Sequence, residues 1–300
     1  MMNSSAFRIA GVVVLYNPTP EVIDNILTWA EQVETVYAVN NTPRPGPGTG
    51  SLGTQGDDSD AGDWTPADRL VSLGNVTYLP LGENVGIARA LNIGAERAAA
   101  AGFDALLTMD QDRRAEADLV ARLLECREAV EGRPGIVAPF HLTRAVRRPP
   151  PETTFTEVMT PMTSGCLLEL TAWQGVGPFR DDFFIDFVDN EYCLRLRRAG
   201  YLVIRANRAL LEHAVGDITR HGPLIATNHS PLRRYYKSRN RLVVFREYLF
   251  TFPGHCLFDL VRIAKEIASI LLFEDEKGAK LRMMWRGVRD FFSGCMGKYT

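Results

Sequence analysis

The sequence predicts an α/β protein with a mainly parallel sheet flanked by helices. Three observations carry this. Short β-branched runs alternate with stretches of helical periodicity over the first 135 residues. The runs end on turn-forming residues such as Asn17-Pro18. An apolar content of 46% in 300 residues is enough for one large core or two small ones.

Phe7 to Tyr16 (FRIAGVVVLY) reads as the first strand. Pro20 to Glu31 follows with helical spacing through Val22, Ile23, Ile26, Leu27 and Ala30. Thr35 to Val39 is a second strand, and residues 42–68, rich in Pro, Gly and Asp, read as a long loop. Val76 to Leu81, Ile87 to Ala100, Ala105 to Met109 and Ala115 to Val130 continue as strand, helix, strand, helix. After residue 135 the pattern changes. Strands are expected at Ile136–Ala138 and Cys166–Leu170, a helix at Phe187–Ala199, and short strands near Leu202–Ile204 and Leu210–His213. Amphipathic helices then fill Leu232–Leu249, Leu257–Phe273 and Ala279–Phe292. This divides the chain into residues 1–245, with halves 1–135 and 136–245, and a helical segment 246–300.

Charge is uneven. Residues 232–300 carry 14 Lys and Arg against 7 Asp and Glu, leaving 20 against 29 for the rest. A basic, Leu- and Phe-rich helical tail on an acidic body points to an anionic membrane surface rather than nucleic acid. The same stripes would equally serve packing on the body or a homodimer interface. No apolar stretch approaches 18 residues and the N-terminus has no signal-like region, so the expected location is cytoplasmic, peripheral to the inner membrane. Five dispersed cysteines without a C-x-x-C pair read as reduced thiols.

The chemistry-bearing motif is Asp110-Gln111-Asp112, at the end of an apolar strand. Ligands of open α/β sheets bind outside the carboxyl ends of strands, and two hard carboxylates there suit Mg²⁺ or Mn²⁺ beside a diphosphate. Asp58-Ser59-Asp60 has the same spacing without a strand leading into it, so context separates the two. Gly86, in Gly82-Glu83-Asn84-Val85-Gly86, can open a helix whose free N–H groups favour a phosphate. Asp186 and Asp189 sit among Phe184, Ile185, Phe187 and Val188, surroundings suited to tuning an acid's pKa. His213 ends a short apolar run and would complement the Asp pair as a ligand. The segment 233–240 (RRYYKSRN) offers Arg and Lys with aromatic neighbours as a phosphate clamp.

Taken together, VVVLYNP, ENVGIARALNIG, LLTMDQD, SGCLLEL, FFIDFVDNEYCLRLRRAGY, LEHAVG and HSPLRRYYKSRN resemble an inverting family 2 glycosyltransferase of the GT-A fold. The likeness spans nearly the whole chain and is closest to bacterial rhamnosyltransferases. It implies a D-x-D motif of Asp110 and Asp112, with Asp112 ahead as direct metal ligand and His213 as candidate second ligand. It implies Asp189 as general base, with Asp186 as the alternative. It places Asn17, Asn40, Asn84, Gly86 and Asn92 around the nucleotide, and Arg234, Lys237 and Arg239 near the diphosphate. The implied donor is dTDP-L-rhamnose, and the implied acceptor is a glycolipid or lipid-linked saccharide. One departure stands out. The family's Asp in the turn after the second strand is here Asn40, whose side-chain oxygen accepts a hydrogen bond without charge assistance. A UDP-hexose donor, or nucleotide-sugar binding without turnover, are the alternatives.

Overall fold

The computed structural model describes residues 7–44, 66–143, 150–213, 219–221 and 224–300. The order is β1 (Ile9–Leu15), α1 (Pro20–Ala30), β2 (Thr35–Asn40), α2 (Pro66–Val71), β3 (Val76–Pro80), α3 (Ile87–Ala100), β4 (Ala105–Asp110), β5 (Arg114–Ala115) and α4 (Leu119–Glu128). Then come β6 (Pro134–Thr143), β7 (Phe155–Glu157), β8 (Cys166–Glu169), α5 (Leu170–Val176), α6 (Val188–Arg198) and β9 (Leu202–His213). The hairpin β10 (Thr219–His221) and β11 (Leu224–Ala226) precedes α7 (Pro231–Tyr248), α8 (Pro253–Phe273) and α9 (Lys277–Phe292).

One sheet runs β3-β2-β1-β4-β8-β6-β9-β5, with β7 paired to β9. The long ladders, β1 with β2 and β4, β2 with β3, and β6 with β9, are parallel. Antiparallel β8 joins the two parallel halves. Every residue of β1 is buried because the sheet is covered twice. Val12 and Val14 face the cluster beneath α3, α6 and α7, while Val13 and Leu15 face the one beneath α1 and α4. Gly94 brings α3 down on β1, since a Cβ there would meet Val12 Cγ2 at 2.4 Å.

Several expectations are corrected. The helix expected from Ala115 starts only at Leu119, because Arg114 and Ala115 pair with β9. The two short strands expected over 202–213 are one strand. Its register shifts opposite Pro139 and Phe140, where buried Asn207 bonds Thr153 and Thr156; this polar interruption split the pattern. β6 runs well beyond Ile136–Ala138. Of the loop expected over 42–68, residues 45–65 lie outside the described part, as do Asp58 and Asp60. Its end already belongs to α2.

The C-terminal helices pack on the body through α7. Gly287 of α9 makes the closest approach: a Cβ there would sit 2.4 Å from the Tyr235 carbonyl oxygen and 3.2 Å from the Arg239 nitrogen. Backbone cannot give way as a side chain can. Gly287→Ala should therefore cost about 1–3 kcal/mol of unfolding free energy, measured by urea denaturation.

Candidate functional site

The crossover between β1 and β4, where the chain leaves for β2 on one side and returns on the other, opens a crevice at the strands' carboxyl ends. A cavity of about 1010 Å³ occupies it. Tyr16 follows β1, Asp110 ends β4, and Gln111 spans the two. Its Oε1 accepts from Tyr16 N at 2.8 Å and its Nε2 donates to Tyr16 O at 3.1 Å. The central Gln of the motif thus fixes the turn that carries both carboxylates to the cavity.

The Asp110 backbone N–H donates to Ser164 Oγ at 3.1 Å, and burial raises the pKa of its carboxyl against the opposing pull of Arg113. Arg113 Nε lies 3.8 Å from Asp110 and 3.5 Å from Asp112. Asp112 lines the cavity with more of its side chain in solvent. Two carboxylates on one turn fit a hard divalent cation that takes its remaining ligands from water and diphosphate. Among the described residues no three His, Cys, Asp or Glu side chains gather as a self-sufficient metal cage. The His213 side chain lies outside the described residues, and its backbone pairs with Thr143.

The opposite wall is the segment from Phe179 to Asp189. Phe184, Asp186 and Phe187 all take positive φ, at 64°, 62° and 64°. Such conformations cost non-glycine residues roughly 1–3 kcal/mol each and persist only where surroundings enforce them. The enforcement is visible. Asn240 Nδ2 donates to the carbonyls of Phe183, Ile185 and Asp186, each at 2.9 Å. Phe184 O in turn accepts from Ile87 N at 2.7 Å. Asp186 is held by Arg233 at 2.7 and 3.2 Å. Asp189, in the first turn of α6, makes no such ion pair among the described residues. Its Oδ1 accepts from Asn190 N at 2.8 Å. Burial, with Asp186 and Asp110 nearby, pushes its carboxyl up to about 6.

Of the residues expected here, Asn84, Gly86, Asp110, Asp112, Asp186, Asp189 and Lys237 line the cavity. Five do not. Asn40 turns its Oδ1 to Thr42 N and its Nδ2 to Tyr78, so the neighbouring Asn41 faces the cavity instead. Asn17 continues that turn, its N donating to Thr42 Oγ1. Asn92 is fully buried and grips the Phe179 backbone in both directions, at 2.8 and 2.9 Å, and Asp181 Oδ1 at 2.6 Å. Arg234 is buried against Glu266 and Glu274, and Arg239 against the carbonyls of Asp182, Phe183 and Gly297. Gly86, at the cavity wall, also allows close packing at the start of α3. A Cβ on it would meet Phe184 O at 2.6 Å, and the Ile87 N–H is already taken.

The cationic side of the cavity is Arg233 and Lys237, one helical turn apart on α7. Lys237 Nζ rests 3.0 Å from Glu266. His229 adjoins them, and burial together with these two cations pushes its imidazole down to about 4, so it is neutral at neutral pH. Of the segment 233–240 expected as a phosphate clamp, Arg233 and Lys237 face the cavity, while Arg234 and Arg239 do not. For Arg233 against Arg234, only helical phase separates the cavity side from the interior.

No protein-family model matches the chain. It is 28% identical over 272 residues to a curated relative, dTDP-rhamnosyl transferase RfbF of Shigella flexneri, covering 82% of this chain and 81% of that one. Among solved structures, S. aureus TarS 1–349 in complex with UDP-GlcNAc superposes with a TM-score of 0.51 at 12% identity, over 95% of this chain and 73% of that chain. GalNAc-T7 with UDP, GalNAc and Mn²⁺ superposes with a TM-score of 0.52 at 10% identity, over 69% of this chain and 43% of that chain. At such identities the structures speak for the fold alone. They show the fold of GT-A glycosyltransferases, and the sequence relative makes this chain similar to a dTDP-rhamnosyl transferase.

Proposed function

We propose that this protein transfers L-rhamnose from dTDP-β-L-rhamnose to a hydroxyl group of a lipid-linked saccharide or glycolipid, with inversion to an α-linkage. The observation that carries the reading is the pairing, in one cavity, of the β4-end carboxylates with Asp189, an acid tuned to about 6. A base poised near the working pH combines the right protonation state with driving force for proton abstraction. Asp189 takes the acceptor hydroxyl proton as that oxygen bonds to the anomeric carbon. The bond from that carbon to the diphosphate oxygen breaks on the opposite face, releasing dTDP. Asp186, tied to Arg233, is the less suited of the two acids.

Arg233 and Lys237 supply positive charge for the diphosphate. Asp112 and Asp110 are the residues that would hold a divalent cation, whose bound charge would further neutralise the leaving group. Asn41 and Asn84, linked to each other at 3.0 Å, lie at the nucleotide end of this reading. The rhamnose assignment rests on the named relative; a UDP-hexose donor fits the same chemistry. Asn40 is the main support for binding without turnover, and its side-chain oxygen accepts from Thr42 N within a local turn.

The acceptor reading draws support from α8. No helix among the described residues is long and apolar enough to cross a membrane. Yet Leu257, Val261, Leu271 and Leu272 are exposed along α8, and Trp285 is 70% exposed on α9, beside exposed Arg262, Lys265, Arg282 and Arg289. Such a face suits the interfacial zone of an anionic bilayer, placing the protein peripherally at the inner membrane's cytoplasmic side. Much of the tail's charge is unavailable for this, since Arg234, Arg241 and Lys280 are consumed by Glu266, Asp259 and Glu274.

With dTDP-rhamnose, a lipid acceptor and Mn²⁺ or Mg²⁺, wild-type protein should release dTDP, and chelator or Asp112→Ala should suppress it. Asp189→Asn should retain donor affinity by calorimetry while losing at least about 100-fold in turnover; near-normal turnover would remove Asp189 from its role. The raised carboxyl also sets a stability trend. Between its unfolded value near 3.8 and about 6, the folded state holds the extra proton, so its contribution to stability falls as pH rises through that window. The thermal midpoint of Asp189→Asn relative to wild type should therefore rise from pH 4 to pH 7. Leu257→Glu with Leu271→Glu should abolish salt-sensitive binding to phosphatidylglycerol vesicles and leave the fold intact; unchanged vesicle binding would point away from α8.

A further inference from the structure

We infer that Asn240, backed by Arg239, is a positioning residue for the proton acceptor of this site; the inference rests on the reading of Asp189 as that acceptor. Asn240 is fully buried on α7, the helix that carries Arg233 and Lys237 to the cavity, but does not itself line the cavity. Its carboxamide has a single orientation that satisfies its neighbours. Arg239 Nε donates to Oδ1 at 3.0 Å, which turns Nδ2 toward the three carbonyls of Phe183, Ile185 and Asp186. Arg239 adds bonds to the carbonyls of Asp182 and Phe183. Every carbonyl from 182 to 186 except that of Phe184 is thereby gathered onto two adjacent side chains of α7. The Phe184 carbonyl goes the other way, to Ile87.

This arrangement decides where α6 begins. Asp186 and Phe187 stand at positive φ immediately before the helix, and Asp189 is its second residue. Neither Asp nor Phe favours that conformation, so the turn is imposed by the donors that bind its carbonyls. Remove them, and the turn relaxes toward negative φ, swinging the start of α6 and both carboxylates with it. Asn240 thus acts on the reaction through the backbone, without contact with substrate.

The test uses the full chain and four proteins. Asn240→Asp keeps the shape and removes the donors. Asn240→Ser restores one short donor. Asn207→Ala is the control, removing an equally buried carboxamide that bonds Thr153 and Thr156 away from the cavity. Wild type completes the set. Amide hydrogen exchange over 182–190 is read by mass spectrometry, and dTDP release is read at saturating and limiting dTDP-rhamnose. Exchange in that segment should rise at least about tenfold in Asn240→Asp and remain as wild type in Asn207→Ala. The kcat of Asn240→Asp should fall at least about 30-fold with donor KM within about threefold, because a misplaced base fails in chemistry rather than in donor binding. Asn240→Ser should recover part of both. Wild-type exchange over 182–190 in Asn240→Asp overturns the inference, whatever the activity. So does an equal loss of kcat in Asn207→Ala. Should Asp189→Asn keep its turnover, the reading of the base fails separately, and the exchange comparison still decides whether Asn240 sets this turn.

Discussion

The turn from Phe179 to Asp189 carries three non-glycine residues at positive φ, and the rest of the site depends on how that turn is held. It has little regular structure of its own beyond one short 3₁₀ turn at Asp181–Phe183. It is instead clamped by side chains from elements far away in sequence. Asn92 of α3 binds its beginning and Asn240 of α7 binds its end. Buried carboxamides suit this task because each offers donors and an acceptor without a charge to desolvate. Stored strain near reacting groups is a recurring arrangement in active sites.

The same turn couples the two halves of the sheet. Phe184 packs so closely on Gly86 that the start of α3 and the approach to α6 form one wall of the cavity. The β4 carboxylates form the facing wall, steadied by Gln111 on Tyr16 and by Ser164 on the Asp110 backbone. Acids therefore converge from separate elements into a partly desolvated space. Burial, with the neighbouring acids adding to it, raises the pKa of both Asp110 and Asp189, while Asp186 is paired with Arg233.

The C-terminal helices take part in this architecture. α9 packs against α7 through Gly287, and the residues after it return to the site. Gly297 N donates to Asp182 O, and Lys298 Nζ reaches Asn84 O at 3.2 Å. Beneath them, a buried network of Arg234, Lys237 and Arg241 with Glu266 and Glu274 orients α7 against α8. Such networks specify geometry more than they add stability. Here the geometry specified is the phase of α7: which of its cations face the cavity and which face inward.

The sequence by itself determined the alternating elements of the first half, the helices after residue 231, and the position of Asp110 and Asp112 at a strand end. These follow from local periodicity and from a strand's fixed direction. It also singled out Asp186 and Asp189, because acids among aromatic residues are unusual wherever the chain later goes. Only the tertiary structure decided which polar residues in each motif face the cavity. Asn40 and Asn41, or Arg233 and Arg234, are alike in chemistry and adjacent in the chain, so their roles depend on a rotation set by distant packing. Asn92 and Asn240 show the same limit from the other side. Their partners are backbone carbonyls and amides, which every residue possesses, and only the fold selects those of one strained turn.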